Sequence, residues 1–339
     1  MSEWHETSEP QLSIVIPCHN RADLLRCCLI SVKRHAPPRT EIIVVDDASP
    51  AGSASRVAES FDGVRTVRLT PRQGFCIAAN RGIHEARAGI VQLLNDDTEV
   101  GPDWALPALR RFRDPSVVAV APLVLQFGAT EPRIDSAGDC YHWGGFAWKR
   151  GHGQALAGFP LAIEEVFGAS GSSAFYRKDA FRRVGGFPES FGSYFEDVDL
   201  SFRLRRAGGR IVFCPLSRVF HHCGASHGIP NRSLLEQQSR NEELVFWRNM
   251  PAHLLPFAVP LHLAVLFGKA VRRWREGQIV PFLRGRWQAA IQVARIVQHR
   301  WHTHPGAVHD TSARVLERAI GPHLLATACY PKLPKSRNG

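Results

Sequence analysis

The chain has 339 residues, enough for one large domain or two smaller ones with a substantial core. Its 44% apolar and 22% charged residues are those of an ordinary globular protein, without internal repeats or a long low-complexity tract. The formal charge of +11 is uneven: residues 240–339 hold 15 Lys+Arg against 5 Asp+Glu, so the first 239 are near neutral. A basic tail of this kind favours an anionic membrane or nucleic acid.

Leu12–Pro17 (LSIVIP) is a short apolar run rich in β-branched residues and bounded by Pro, which predicts a buried strand. Asn20 is placed to cap a helix from Arg21 to about His35, with Leu24, Leu25, Cys28 and Val32 on one face and Pro37-Pro38 beyond it. Glu41–Val45 and Val64–Leu69 read as strands, with a helix near Ser53–Ser60 between them. Cys76–Ala88 reads as a helix and Ile90–Leu94 as a fourth strand. Strands alternating with helices predict right-handed crossovers and an α/β fold on a mainly parallel sheet.

Past Asp103 a helix runs to about Phe112, and Val117–Pro122 reads as a strand. Phe127–Gly158, rich in Gly and aromatics, gives no clear element and is long enough for an active-site flap. Gly168–Phe175 leads into a strand, followed by helices at Lys178–Val184 and Asp197–Ala207, a strand at Arg210–Phe213 and a helix at Ser233–Trp247. Ala252–Gly268 is apolar but short for a membrane span, which needs roughly 20 apolar residues. Val271–Arg300 sets Trp274, Phe282 and Trp287 among many Arg. Two readings stand for it: an interfacial amphipathic segment, or a helical subdomain packed on the core with Arg on its wet face.

The eight cysteines (Cys18, Cys27, Cys28, Cys76, Cys140, Cys214, Cys223 and Cys329) lack CxxC spacing. The first residues are polar and acidic, without the apolar core of a signal peptide. Reduced thiols and a cytoplasmic setting are the expectation.

Three pairs of adjacent acids carry the chemistry. Asp46-Asp47 ends the run Ile42–Val45, Asn95-Asp96-Asp97 ends Ile90–Leu94, and Glu196-Asp197 follows Tyr194-Phe195. Neighbouring carboxylates repel and are costly to desolvate, so each pair needs a cation, a sugar or a hydrogen-bond donor nearby. Acids at the carboxyl ends of parallel strands lie where open α/β sheets bind ligands. The pattern outlines a metal-dependent site for a charged, nucleotide-like substrate.

LSIVIPCHNR, IIVVDDAS, GFCIAANRGI, LLNDDTEV, the long run GASGSSAFYRKDAFRRVGGFPESFGSYFEDVDLSFRLRRAGGRI and VFHHCGAS occur in one order. Together, over roughly residues 12–250, they resemble the family-2 inverting glycosyltransferases of GT-A fold, most closely rhamnosyltransferase-like members. The resemblance implies that Asp97 binds a divalent cation (Mg²⁺ or Mn²⁺) and that Asp96 meets the ribose or the metal's outer shell. It implies base and ribose recognition by Asp46 and Asp47, and a loop beneath the nucleotide formed by Pro17, His19 and Asn20. Arg21 reads equally as a phosphate contact or an exposed helix residue. Gly74 and Asn80 match the donor-side loop and helix, whereas Arg72 stands where the family commonly has Asn. By resemblance Asp197 is the general base and Glu196 shapes its field or binds acceptor hydroxyls. Gly171-Ser172 matches the acceptor-side turn, and Asp199 reads as structural. His221, before Gly224 and Ser226, fits the spacing of a metal-completing His better than His222. Trp143 and Trp148 are open between sugar stacking and core packing.

The expected organisation is a tail (1–11), a GT-A domain (12–232) and a basic helical region (233–339) that associates with a membrane. The expected activity is transfer of a sugar, with rhamnose the first candidate, from a nucleoside diphosphate to a hydroxyl of a glycan or lipid-linked acceptor. Its setting is the cytoplasmic face of the membrane, with an anionic surface as partner and no nucleic acid. The competing enzyme class is a nucleotidyltransferase acting on sugar phosphates. That class would want a Gly-rich basic loop where this chain has IPCHNR.

Overall fold

A computed structural model describes residues 10–222, 231–303 and 320–321. Expectations that rest on Cys223, Gly224, Ser226, Cys329, the first nine residues or the rest of the basic tail lie outside the described residues. The chain runs β1 (Leu12–Cys18), α1 (Ala22–His35), β2 (Thr40–Asp47), α2 (Ser53–Glu59), β3 (Val64–Leu69), α3 (Phe75–Glu85), β4 (Ile90–Leu93), β5 (Thr98–Val100), α4 (Ala105–Arg111) and β6 (Val117–Gln126). It continues with β7 (Ile134–Ser136), β8 (Asp139–His142), β9 (Phe146–Lys149), β10 (Glu164–Glu165), β11 (Phe175–Arg177), α5 (Lys178–Arg183), α6 (Glu196–Arg206) and β12 (Arg210–His221). Four helices follow, α7 (Arg232–Asn249), α8 (Leu255–Arg275), α9 (Ile279–Ala290) and α10 (Val293–Thr303), and a short β13 (Ile320–Gly321).

Every residue of β1 is buried, which is why LSIVIP reads as a continuous apolar run and not as an alternation. The period of two still sorts its side chains: Ile14 and Ile16 pack with α1, α2 and α4, while Val15 packs on the opposite side with α3. The sheet order is β10-β12-β6-β11-β4-β1-β2-β3, with β5 on β12 and β7 on β6. β3, β2, β1 and β4 are parallel neighbours, and β11 enters antiparallel between β4 and β6. The parallel half therefore ends Asp46-Asp47 and Asn95–Asp97 at the same edge.

The differences from the sequence reading have local causes. α1 begins at Ala22 with Arg21 at its N-cap, one residue later than an Asn20 cap would set it. α3 stops at Glu85, short of Ala88, because Arg87 N–H donates to Glu41 and Ala88 N–H to Ser13 Oγ in place of helical carbonyls. β6 and β12 are longer than their apolar cores because they pair in parallel over their whole length, with irregular register at Cys214/Arg218. The segment 127–158 is structured: β7 joins the main sheet, and β8 and β9 form a hairpin turned at Trp143–Gly145.

The helices after β12 are joined to one another by ions as well as by apolar packing. Arg286 of α9 bonds both Glu242 and Glu243 of α7, and Lys269 of α8 also bonds Glu242. α7 and α9 meet most closely at Gly285, where an added Cβ would lie 2.2 Å from the Glu236 carbonyl oxygen. Backbone cannot yield as a flexible side-chain tip does. Gly285→Ala is expected to lower unfolding free energy by about 1–3 kcal/mol in urea denaturation. Gly277→Ala supplies the control for turn strain without contact, since nothing lies within 4 Å of that position and its φ is +68°.

Candidate active site

One cleft of about 650 Å³ collects most of the residues the motifs single out. Its lining includes Pro17, His19, Asn20, Arg21, Asp47, Asp96, Gly171, Ser172, Glu196, Asp197 and His221. Asp46, Gly74 and Asn80 are not among the lining residues, and Asp97 lies just behind Arg21 and His221.

The acids of the first pair face different ways, as successive residues of a strand must. Asp46 is fully buried and accepts from Ser49 N–H (2.7 Å), Ser55 N–H (3.2 Å), Ser55 Oγ (2.5 Å) and Arg68 (3.3 Å). Burial alone would raise its pKa, but the bonds from Ser55 and Ser49 and the charge of Arg68 hold it below the usual value. It builds the turn into α2 and does not line the cleft. Asp47 reaches the cleft and accepts from Gln73 N–H (2.6 Å) and Gly74 N–H (2.8 Å), while its carbonyl meets His19 Nδ1 at 2.7 Å. Gly74 thus acts through Asp47, at a φ of +92° that favours Gly. Asn80, outside the cleft lining, grips the backbone of Phe187 through its Nδ2 and Oδ1, both at 2.9 Å. Arg72 lines the cleft with its Nε 4.0 Å from Asp47.

Asp97 has no exposed surface. Its Oδ2 accepts from Arg21 Nη1 at 2.6 Å, and its Oδ1 lies 3.3 Å from His221 Nε2. Arg21 also lies 3.6 Å from Asp96, whose pKa is pushed up to about 6, first by burial and further by the charge of Asp97, against Cys18 and Arg21. His221, and not His222, stands beside Asp97; His222 Nε2 meets Glu99 at 2.8 Å and its ring stacks on Phe127. The other nitrogen of His221, Nδ1, lies 3.1 Å from Asp135 Oδ2. A carboxylate on one imidazole nitrogen fixes the tautomer that presents a lone pair from the other. Asp97 Oδ1 and His221 Nε2 therefore fit a two-ligand half-site for Mg²⁺ or Mn²⁺, which draw their remaining ligands from substrate phosphates and water. Among the described residues no group of three or more His, Cys, Asp or Glu forms a full cage.

Glu196 and Asp197 open α6 after two residues with left-handed backbone, Tyr194 (φ 69°) and Phe195 (φ 68°). Asp197 Oδ2 accepts from Gly171 N–H and its Oδ1 from Val198 N–H, both at 2.8 Å. Burial raises its pKa, and those amides with Lys149 only partly offset the rise. Glu196 is buried, its Oε2 has no hydrogen-bond partner, and its pKa is raised by burial and then by the charge of Asp197. Ser172 lines the wall beside it, and its carbonyl accepts from Asn95 N–H at 2.8 Å, tying this turn to the Asn95–Asp97 loop. Asp199 points away, bonded to Arg203 (2.8 Å), Arg248 (3.3 Å) and Asn249 (2.8 Å).

The sequence reading marked residues 127–158 as a candidate active-site flap and left Trp148 open as a sugar contact, but it did not single out Asp135, Asp139 or Lys149. Asp139, Trp148 and Lys149 all line the cleft. Asp135 bonds Lys149 at 2.8 Å besides His221, and its pKa lies well below the usual range, since His152, His221 and Lys149 outweigh burial. Trp143 packs on the core instead. The signal available was the three-residue Trp143-Gly144-Gly145 turn between two short segments, a length and composition suited to a hairpin loop.

With this geometry in place, the comparisons with known proteins agree. Residues 13–185 match Glycosyl transferase family 2. The chain belongs to that family. The O-antigen biosynthesis protein RfbC of Myxococcus xanthus is 28% identical over 227 residues, 64% of this chain and 18% of that protein. The pre-mycofactocin glycosyltransferase of Mycobacterium tuberculosis is 27% identical over 328 residues, 87% of this chain and 66% of the other. GalNAc-T7, solved with UDP, GalNAc and Mn²⁺, superposes with a TM-score of 0.55 at 19% identity over 70% of this chain and 48% of that one, which shows the GT-A fold. Several relatives are much longer: this chain spans 26%, 18% and 35% of three of them.

The left-handed loop before Glu196 is held from outside. Asn241 of α7, fully buried, donates through Nδ2 to the carbonyls of Phe191 (3.0 Å), Ser193 (2.9 Å) and Tyr194 (2.9 Å), and Gln237 adds bonds to Phe191 and Ser193. Asn241→Ala leaves buried carbonyls with fewer donors. It is expected to cost about 1–3 kcal/mol in chemical denaturation. Hydrogen exchange at residues 191–195 is expected to rise along with it.

Proposed function

We propose that this glycosyltransferase-family chain moves a sugar from a nucleoside-diphosphate donor to a hydroxyl of a glycan or lipid-linked acceptor, with inversion at the anomeric carbon. The observation that carries the reading is the opposition, in one cleft, of Asp47 and Asp96 to a backbone-held Asp197, with Asp97 and His221 paired at the floor. Asp47 would receive the base and Asp96 the ribose, over Pro17, His19 and Asn20. Glu196, Gly171 and Ser172 would frame the acceptor. Bound at Asp97 and His221, Mg²⁺ or Mn²⁺ would supply Lewis-acid stabilisation of the diphosphate. Asp197 takes the proton of the acceptor hydroxyl as that oxygen bonds to the anomeric carbon, and the bond to the diphosphate breaks with its electron pair on the leaving oxygen. A dTDP-rhamnose or UDP-sugar donor is the first candidate; the O-antigen relative is in keeping with an envelope glycan and the neighbour solved with UDP with a nucleotide-sugar donor, and a cytoplasmic, envelope-directed setting is part of the proposal.

The first test is nucleoside diphosphate release from a panel of nucleotide sugars, with and without Mn²⁺ or Mg²⁺. Metal-dependent release from one donor, abolished in Asp97→Ala, is the expected result. The absence of both release and metal-dependent nucleotide binding by thermal shift would overturn the reading. With an acceptor, Asp197→Asn is expected to lose about 10²–10⁴-fold in kcat while remaining folded. Because Asp197 must be ionised and burial raises its pKa, the acid limb of the wild-type kcat/KM profile is expected above the ordinary Asp value. Asp135→Asn is expected to raise the Mn²⁺ concentration needed for half activity about 10–100-fold, with activity recovered at high Mn²⁺.

A further inference from the structure

Among the described residues seventeen large hydrophobics are exposed, and eleven of them fall between Phe257 and Trp301. They are ordered by helical spacing. On α8, Leu263, Phe267 and Trp274 recur at four and seven residues. On α9, Val280, Leu283, Trp287 and Ile291 recur at three, four and four. On α10, Val293, Val297 and Trp301 recur at four and four. Each helix thus presents one apolar stripe outward while its other face packs inward, through Ala258 and His262, Phe282 and Ala289, and Ile296. Scattered apolar residues need no explanation, but three consecutive outward stripes mark an interaction surface.

The charge around the stripes selects the partner. Residues 251–303 contain eight Lys+Arg and one acid, Glu276. Lys269 and Arg286 are tied to α7, and Arg300 to the Trp247 and Met250 carbonyls, but Arg275, Arg284 and Arg295 are exposed beside the stripes. A second copy meeting this face through a two-fold axis would bring two Arg-rich fringes together with almost no acid to pair them. An anionic bilayer supplies an apolar layer and phosphates at once, and Trp and Arg are the residues suited to that boundary.

α8 with its preceding turn is long and apolar enough to cross a membrane by length and composition. Its inner face excludes that arrangement. Near mid-helix, His262 stacks on Phe246 with centroids 3.8 Å apart, meets the Gly144 carbonyl at 2.9 Å and lies 3.2 Å from Glu243, and Lys269 is bonded to Glu242. A spanning α8 would carry these carboxylates and Arg286 into hydrocarbon.

We propose that α8, α9 and α10 form a docking face that rests the enzyme on an anionic membrane surface, with the three stripes in the interfacial layer and the Arg fringe on lipid phosphates. This inference is independent of the donor chemistry above. The test is co-sedimentation of the full chain with phosphatidylcholine vesicles, with and without phosphatidylglycerol. Binding is expected to the anionic vesicles and to weaken with salt. It is expected to fall at least about tenfold in Phe267→Ser/Trp287→Ser/Trp301→Ser and in Arg284→Glu/Arg295→Glu. Nucleotide-sugar hydrolysis, measured in the same preparations, is expected to be unchanged, which separates this proposal from the catalytic one. Wild-type protein that stays in the supernatant overturns the proposal, whether sedimentation velocity then shows a dimer through this face or a monomer. Undiminished binding by both variants overturns it as well.

Discussion

The cleft is built around the cost of taking carboxylates out of water. Asp46, Asp47, Asp96, Asp97, Asp135, Asp139, Glu196 and Asp199 are all buried. An unpaired buried charge is untenable, so each must be compensated or protonated. How each is compensated divides structure from chemistry. Asp46 and Asp199 are saturated by hydroxyls, amides and guanidinium groups on several sides, and both face away from the cleft. Asp47 and Asp197 are each held by backbone N–H groups, which fix a carboxylate's position yet leave lone pairs for a ligand. Asp139 and Glu196 each keep an oxygen without a hydrogen-bond partner, and burial raises both pKa values. The residues proposed to meet the substrate are thus the ones whose compensation is incomplete.

The same economy explains why the helices after β12 matter to a site that lies at the sheet. Tyr194 and Phe195 adopt a backbone that non-glycine residues rarely hold, and such a conformation persists only when its surroundings over-determine it. Asn241 and Gln237 do so from α7, and α7 is itself fixed by Arg286 and Lys269 from the next two helices. The placement of Glu196 therefore depends on packing some 40 residues later in the chain. A segment that serves as a surface on its outer side serves as a buttress on its inner one.

Much of this was legible in the sequence. Continuous β-branched runs marked the parallel strands because burial on both faces erases alternation, and the acid pairs marked the sheet edge because strands deliver their last residues there. The period of two also meant that adjacent acids must part ways, yet it could not say which of Asp46 and Asp47 would face the cleft, since that depends on the turn into α2. Asn80 matched the donor-side helix by its place in a motif; its two-sided grip on Phe187 comes from a loop more than a hundred residues away. The hairpin was hard to read because its strands are four residues each and do not alternate apolar with polar side chains. What pattern reading lacked throughout was long-range pairing.

That hairpin joins the two halves of the cleft. Asp135 sits on β7 at the foot of it and reaches His221 on one side and Lys149 on the other. Lys149 keeps its charge although burial would lower its pKa, because Asp135, then Asp139 and Asp197, favour the ammonium. A single carboxylate thus orients the imidazole beside Asp97 and anchors the cation that acts on Asp197. The Asn95–Asp97 loop follows β4 and the Gly171-Ser172 turn leads into its neighbour β11, joined by the Asn95 N–H to Ser172 carbonyl bond, while Glu196 and Asp197 come from α6. Asp135 pairs with both His221 and Lys149, and the charge of Lys149 in turn favours the ionised form of Asp197.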